Sequence, residues 1–276
     1  MFELPEIENL VKQINATLCG KTIRRGSLGN SPHKFVWYNR TREEFEGLVK
    51  DKTVGNAHGK GRWLFIDIDP GFILVFGEMG GRMLFHPAGS VLPAKYHLHL
   101  EFNDLSFFTG TTQMWGAMEL YRRGEEQERQ YVKDMRTTPL EADFTYEYFS
   151  NLIDRLLQGE KRSVKSLLTQ DQIIPGLGNS IAQDIMFNAG LNPRHPLGTL
   201  DQSLRKKLYG AICDTVQQVI AGGGRYDEFD LFNRPGNYIR VMDNDALKRP
   251  CPTCGGKIEK MAYLGGNCYY CPHCQV

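Results

Sequence analysis

Four cysteines near the end of the chain constrain its fold more than any other feature. They form the pairs Cys251-x-x-Cys254 and Cys271-x-x-Cys274, with 16 residues between the pairs. This is the spacing of two knuckles around one tetrahedral Zn²⁺, for which thiolates are good ligands. Four sulfur ligands leave no position for water, so we expect a structural ion. Two disulfides are the alternative, but the odd total of seven cysteines in 276 residues argues against them.

Composition limits what the rest of the chain can be. With 41% hydrophobic and 24% charged residues it is typical of a globular protein. No stretch approaches the ~20 apolar residues of a membrane-spanning helix, and the start MFELPEIENL lacks the features of a secretory signal. We therefore expect a cytoplasmic protein. The net charge of +1 is too small to indicate a polyanionic partner by itself.

Hydrophobic patterns divide the chain into a β-rich first part and a helical second part. Helical spacing of apolar residues over 7–18, followed by Gly20, predicts an opening helix. Short β-branched and aromatic runs over 21–122 predict an antiparallel sandwich or barrel. Four helical segments follow, over 146–158, 161–169, 179–191 and 203–221. The expected fold class is α+β and multidomain: a β-sandwich over 1–125, a helical domain over 126–232 and a zinc ribbon over 233–276.

A glycine-rich segment, Pro175-Gly176-Leu177-Gly178-Asn179, runs directly into the third of these helices. Glycines allow close backbone approach, and the free N–H groups of a helix start attract an anion such as phosphate. Asn179 is a suitable N-cap. A plain turn is the alternative, so this segment alone does not decide the ligand.

Two acids, Glu3 and Glu6, flank the first turn of the opening helix and lie near the α-amine. An α-amine has an ordinary pKa near 8, and it can attack a sugar C1′ as a nucleophile. A neighbouring carboxyl group can protonate a ring oxygen or activate water. The alternative is that the acids only complement the helix dipole.

In this order, the three features resemble the formamidopyrimidine-DNA glycosylase and endonuclease VIII family of base-excision repair enzymes. Members begin Pro-Glu-Leu-Pro-Glu after Met removal, and Glu3-Leu4-Pro5-Glu6 falls in that register, as does the spacing of the cysteines. The resemblance spans the whole chain. It implies a β-sandwich, a helix–two-turn–helix domain and a C-terminal zinc finger, with damaged double-stranded DNA as the partner. We expect a nucleoid-associated monomer.

The resemblance also implies roles for individual residues. Lys60 matches the family's catalytic lysine, Asn179 its phosphate-binding asparagine, and Lys165 a second phosphate contact. The side chains that fill the gap left by an extruded base match Met79, Gln113 and Trp115. The alternatives are a surface cation for Lys60 and ordinary sandwich core for Met79 and Trp115.

The N-terminus departs from the family pattern. Phe2 stands where the family has proline, and so bulky a second residue is expected to block removal of Met1. The α-amine is then primary and displaced by about 3.5 Å, a large error for a near-attack geometry. We therefore expect a glycosylase that flips and releases a damaged base with weak or absent AP-lyase activity, with catalytic candidates Met1, Glu3, Glu6 and Lys60. A catalytically inactive lesion- or abasic-site-binding protein is the alternative.

Other lesion-handling positions differ as well. Gly266 replaces an arginine that holds phosphates, Gln113 replaces the void-filling arginine, Trp115 replaces its phenylalanine partner, and Asp184 stands in place of a glutamate. These changes indicate a divergent branch of the family. Base choice is expected to depend on the loop over residues 222–238.

Overall fold

The computed structural model describes residues 1–29 and 35–276. They form two compact units: Met1–Met135 with Gly222–Asn237, and Arg136–Ala221 with Tyr238–Val276. These bounds differ from the expected domains, 1–125, 126–232 and 233–276, in two respects. The segment 222–237 returns to the first unit, where Arg225 binds acids of the opening helix. The finger belongs to the unit of the helices, because the amide of Tyr269 donates to the side chain of Gln183.

The described residues of the first unit form two α-helices, two sheets and a short 3₁₀ helix over Glu125–Glu128. Its α-helices are α1 (Leu4–Thr17) and α2 (Arg42–Val49). Its strands are β1 (Ile23–Leu28), β2 (Val36–Trp37), β3 (Thr53–Lys60), β4 (Trp63–Asp69), β5 (Phe72–Gly77), β6 (Gly81–His86), β7 (Leu98–Phe102), β8 (Phe107–Thr112) and β9 (Gly116–Arg122). The sheets have the orders β1-β7-β8-β6 and β2-β9-β5-β4-β3. The predicted antiparallel sandwich is confirmed, with the difference that β2 runs parallel to β9.

The core of this unit lies under α1 and between the strands. The helix buries the apolar face that its spacing predicted, with Ile7, Leu10 and Ile14 almost inaccessible to water. It ends as expected, because Gly20 adopts a positive φ of 85° that other residues rarely take. The buried apolar face of α1 therefore fixes its start on the sandwich.

One end of the five-stranded sheet collects residues from all its strands in a single cross-strand row. In sheet order the row is Lys60, Trp63, Gly77, Ala117 and Trp37. The N-terminus lies at the same end, because the amide of Phe2 donates to the carbonyl of Met79, two residues beyond β5, at 2.9 Å. The fold therefore brings the candidate residues of the first unit to one end of this sheet.

The second unit consists of four α-helices and a hairpin. They are α3 (Tyr146–Leu156), α4 (Val164–Thr169), α5 (Asn179–Ala189), α6 (Gln202–Ala221), β10 (Glu259–Tyr263) and β11 (Gly266–Tyr270). All four predicted helices are confirmed, and α4 begins three residues later than expected because Ser163 caps it. Within the two described ranges, no helix has the length and apolar character needed to cross a membrane.

Candidate active site and nucleic-acid interface

Glu3 and Glu6 are fixed by the start of α1. Glu3 is the N-cap residue and Glu6 the third helical residue, and each side chain accepts a hydrogen bond from the other's backbone N–H. The bond from the Glu3 amide to Glu6 Oε2 measures 3.0 Å. Pro5 suits this first turn, where a backbone N–H has no partner within the helix. Both carboxylates are buried.

A buried arginine, which sequence reasoning missed, pairs with both acids. Arg225 is 1% exposed. Its Nε and Nη2 donate to the two oxygens of Glu6 at 3.0 and 2.9 Å, and its Nη1 donates to Glu3 Oε1 at 3.4 Å. Burial lowers the pKa of Arg225, but the carboxylates of Glu6 and Glu3 raise it, and the net shift is upward. The guanidinium is therefore a permanent cation between the two candidate catalytic acids.

The N-terminal amine is also engaged. The ammonium of Met1 forms an ion pair with Glu228 at 2.6 Å, and the carbonyl of Met1 accepts a bond from Arg225 at 2.8 Å. The side chain of Phe2 is fully buried, and its nitrogen is an amide that donates to Met79. With Met1 in place, the nitrogen at the register of the family's proline is this amide. The α-amine of Met1 is thus engaged by Glu228.

Glycines shape the loop that carries Arg225. Gly223 and Gly224 adopt positive φ values of 73° and 107°. A Cβ on Gly236 would lie 2.1 Å from the carbonyl oxygen of Gly224, so only glycine fits that position. The run Gly222-Gly223-Gly224 indicates a loop from sequence alone. It does not indicate which side chain of that loop turns inward.

Lys60 lies at the end of β3 and is half-buried. The preceding residue, Gly59, packs so closely on α1 that a Cβ there would be 2.6 Å from Ile7 Cγ2. This contact packs the end of β3 on α1, whose first turn carries Glu3 and Glu6. Its role as an acid or an amine stays a prediction.

The three predicted gap-filling residues fall into two environments. Met79 is in the core, the environment that was the alternative for it, and a Cβ on Gly116 would be 2.7 Å from its sulfur. Gln113 and Trp115 are exposed. The amide of Gln113 donates to Gly80 at 2.6 Å, and the Thr112 hydroxyl donates to the carbonyl of Trp115 at 2.6 Å. The segment that carries Gln113 and Trp115 is therefore held by backbone contacts.

In the second unit, Asn179 is exposed at the start of α5. The N-cap is Gly178 and not Asn179 as expected, so Asn179 is the first helical residue. Lys165 is 1% exposed, and its ammonium donates to the carbonyl of Tyr263 at the end of β10. One of its three N–H donors thus holds the hairpin of the finger.

Position 266 adjoins Asn179. A Cβ built on Gly266 would lie 3.4 Å from Asn179 Nδ2, which is a contact with a movable side chain. The family's phosphate-holding arginine would therefore begin beside the predicted phosphate-binding asparagine. In this chain position 266 is a glycine, so Asn179 has no arginine side chain from that position beside it.

Asp184, which replaces a glutamate, is a structural anchor. Its buried carboxylate accepts bonds from the amides of Val241 and Met242 at 3.0 and 2.7 Å and from the Tyr238 hydroxyl at 2.9 Å. Burial raises the pKa of Asp184, while these hydrogen bonds lower it, and the net shift is upward. It fixes the segment that leads to the finger.

The four predicted ligand cysteines come together. Their sulfur atoms lie within 4.8 Å of one another, with Cys251 to Cys274 at 3.8 Å and Cys254 to Cys271 at 3.5 Å. A tetrahedral ion with Zn–S bonds of about 2.3 Å has sulfur atoms about 3.8 Å apart. The four thiols therefore fit one tetrahedral metal ion.

Two family models match most of the chain. Residues 1–117 match the formamidopyrimidine-DNA glycosylase N-terminal domain, and residues 136–229 match the formamidopyrimidine-DNA glycosylase H2TH (helix–two-turn–helix) domain. A formamidopyrimidine-DNA glycosylase of Pelotomaculum thermopropionicum is 31% identical over 284 residues, covering 100% of this chain and 99% of the relative. The chain belongs to the formamidopyrimidine-DNA glycosylase family. The relative from Carboxydothermus hydrogenoformans is 29% identical and is covered completely.

Solved structures of formamidopyrimidine-DNA glycosylases share the fold. The Lactococcus lactis Fpg in complex with DNA containing an abasic site has a TM-score of 0.84 at 20% identity, with 99% of each chain covered. MutM (Fpg) of Thermus thermophilus has a TM-score of 0.81 at 22% identity, with 99% and 98% covered. The fold expected from the family resemblance is thus confirmed. The roles of individual residues stay predictions.

Proposed function

We propose that this member of the family is a DNA glycosylase that hydrolyses the N-glycosidic bond of a damaged base in double-stranded DNA, without a Schiff-base lyase step. Family membership supports the glycosylase activity. The observation that carries the missing lyase step is the state of the N-terminus. The amine of Met1 is an ammonium paired with Glu228 at 2.6 Å, and the nitrogen of Phe2 is a hydrogen-bonded amide.

Hydrolysis needs acids but no amine nucleophile. The glycosidic bond breaks with its electron pair going to the departing base, which gains a proton, and C1′ becomes cationic as in an oxocarbenium ion. Water then adds to C1′ and gives its proton to a carboxylate. Lys60, at the end of β3, is the candidate proton donor to the base.

The two acids have different contacts, which suggests different roles. Glu6 takes two short bonds from Arg225, whereas Glu3 takes one contact of 3.4 Å from it. We assign stabilisation of the sugar cation to Glu3. Glu6 is a positioning residue that keeps Arg225 and the cap of α1 in place.

The second unit is proposed to hold the DNA backbone. Asn179 is exposed at a helix start, where N–H groups and the helix dipole favour a phosphate. We further propose that Cys251, Cys254, Cys271 and Cys274 bind one Zn²⁺, which would supply only rigidity to the hairpin. Lys165 fixes that hairpin through Tyr263.

The test is base release from duplexes that each carry one oxidised or ring-opened base, with the free base and strand scission measured separately. We expect released base with an intact sugar–phosphate strand. Glu3→Gln should abolish release, and Lys60→Met should reduce it. A released base accompanied by scission in equal amount would contradict the proposal.

A second candidate, a binder of lesions or abasic sites without catalysis, is favoured by one observation. Arg225 engages both acids, and their side chains are only 5% exposed. This candidate requires that no duplex of the panel releases base while abasic-site DNA still binds tightly. Base release that is lost in Glu3→Gln would reject it.

A further inference from the structure

The side of α1 that faces the loop after α6 carries a row of three polar residues. Glu6, Asn9 and Gln13 are spaced three and four residues apart, so they lie one above the other on the helix. Glu6 accepts hydrogen bonds from the amide and the Nε of Arg225 at 3.1 and 3.0 Å. Gln13 donates to Asp230 Oδ2 at 2.9 Å. The two outer residues of the row therefore hold the loop by direct contacts.

Asn9, in the middle of the row, makes no such contact. Its side-chain nitrogen Nδ2 is buried, and among the described residues it has no hydrogen-bond partner. An unpaired buried donor is costly, and buried polar groups in native proteins that lack a protein partner usually bond to ordered water. The amide of Asn9 therefore points to a bound molecule.

A small cavity lies beside Asn9. Its walls come from α1 and from the loop after α6, and include Glu6, Asn9, Leu10, Glu228, Phe229 and Asp230. It has room of about 10 Å³ for the centre of a water molecule, which is the space of a single one. The Phe229 wall is held in place, because the guanidinium carbon of Arg82 lies 3.6 Å from its ring centroid. The cavity therefore suits one small ligand.

The groups that line the cavity select a neutral ligand. Three of them are acids, so an anion would be repelled. A metal cation would suit the acids but not Nδ2 of Asn9, which carries two hydrogens and can only donate. A water molecule can accept a bond from Asn9 and donate to a carboxylate, so it satisfies both kinds of group.

Among the three acids, Glu228 is the one with acceptor capacity to spare. Its contacts with the Met1 ammonium at 2.6 Å and with Arg225 Nη2 at 3.6 Å both use Oε1. In Glu6, by contrast, both oxygens accept bonds from Arg225. Both oxygens of Asp230 also accept bonds. Oε2 of Glu228 is therefore the best acceptor for a water held by Asn9.

We propose that one water molecule binds in this cavity, accepts a hydrogen bond from Asn9 Nδ2 and donates one to Glu228. Asn9 is then a positioning residue: through the water it holds the carboxylate that pairs with the α-amine of Met1. A bridging water of this kind is nearly as favourable as a direct hydrogen bond. The inference goes beyond the proposed function, because it concerns the free protein and requires no DNA.

The first test is a crystal structure of the full chain at a resolution that shows ordered water. We expect one water peak within hydrogen-bond distance, about 2.7–3.2 Å, of both Asn9 Nδ2 and a carboxylate oxygen of Glu228. A direct bond from Asn9 to a protein acceptor would overturn the inference. So would a cavity without a peak next to Asn9.

The second test measures how fast the α-amine of Met1 is methylated by formaldehyde and cyanoborohydride, with mass spectrometry of the N-terminal peptide. The reagent needs an amine released from Glu228, so a weaker pair is labelled faster. Asn9→Leu removes the donor and fills the cavity, and Asn9→Ala removes the donor without added bulk. Both should be labelled at least about threefold faster than the unmodified protein. Glu228→Gln, which removes the charge of the partner, sets the upper limit.

Asn15→Ala is the matched control. Asn15 lies on the same helix and exchanges hydrogen bonds with the backbone of Ala57 at 2.9 and 2.6 Å, but it is outside the residues that line the cavity. Its replacement should lower the urea midpoint and leave the labelling rate unchanged. Circular dichroism and urea midpoints check that every variant is folded.

The outcomes separate this inference from the proposed function, which base release tests independently. If both Asn9 variants are labelled at the unmodified rate, Asn9 does not position Glu228 and the inference is wrong. An equal increase in Asn15→Ala would also contradict it, because loosening of the helix would then be sufficient. Faster labelling confined to the Asn9 variants, together with the water peak, supports the inference.

Discussion

At the scale of single residues, the N-terminal cluster depends on Arg225. Three carboxylates, those of Glu3, Glu6 and Glu228, meet two cations, Arg225 and the ammonium of Met1. Acids this deeply buried are tolerated only when they are paired. Arg225 supplies most of that pairing and also binds the carbonyl of Met1, so it holds the acids and the N-terminus together.

Replacing Arg225 with Met should destabilise the protein by about 3–5 kcal/mol, because it leaves buried carboxylates without a counter-charge. Urea denaturation measures the change. The control is Arg123→Met, since Arg123 is 49% exposed in its ion pairs with Asp67 and Asp69. It should cost at most about 1 kcal/mol. Equal costs at the two positions would contradict the importance given to the buried cluster.

Gly266→Arg should restore a phosphate contact beside Asn179. The change is sterically acceptable, because the nearest atoms to a Cβ at this position belong to the side chain of Asn179. DNA affinity should rise about tenfold, and the slope of log K against log salt should steepen by about 0.9. A salt series of binding isotherms measures both.

Ala262→Arg provides the control for this gain. Ala262 pairs with Asn267, so it lies on the opposite face of the same hairpin from Gly266. It adds the same charge to the same element away from Asn179. Equal gains in affinity from the two variants would show that the added charge alone raises affinity. That result would contradict a specific contact at position 266.

These residues show what sequence can and cannot reveal. Glu3 and Glu6 were predicted because their motif lies within one helical turn, and the cysteines because their spacing is local to one finger. Arg225 was missed because its partner Glu6 is 219 residues away and arginines in glycine-rich loops are ordinarily exposed. Met79 matches the family pattern, but that match does not indicate that its side chain is buried in this chain. Its role at the DNA stays a prediction.

At the scale of elements, the finger hairpin is expected to depend on its metal. The hairpin has five residue pairs between β10 and β11, few for independent stability, and Lys165 and Gln183 fix it to the helices. A metal-binding free energy is then also a folding free energy.

Removal of the metal with a chelator should therefore unfold the hairpin and abolish DNA binding, while the first unit stays folded. Metal analysis should show one zinc per chain in the unmodified protein. Cys254→Ser should lose the zinc, whereas Cys268→Ala should keep it, because Cys268 is buried outside the group of four ligands. Zinc retained in Cys254→Ser would contradict the proposed ligand set.

Elements with a long regular pattern were predictable, and short ones were not. α1 and α3 to α6 follow from helical periodicity. α2 was missed because it has eight residues, of which only Phe45 and Val49 are buried. β2 was missed because it has two residues, and its parallel pairing with β9 depends on a partner about 80 residues away.

At the scale of the whole molecule, each compact unit is built from two separate segments of the chain. Residues 222–237 leave α6 and complete the first unit, where Arg225 and Glu228 close the N-terminal cluster. Sequence patterns cannot show such a return, because the segment has no apolar period of its own. We propose the central claim from this closure: the protein takes no Schiff-base step, because its α-amine is paired with Glu228 and Lys60 acts as an acid.

The most direct test of this claim is the intact mass of the protein after incubation with abasic-site DNA and borohydride. We expect one species, the full chain with Met1 retained and no DNA attached. A covalent adduct, or a chain that begins at Phe2 with a free amine, would contradict the claim.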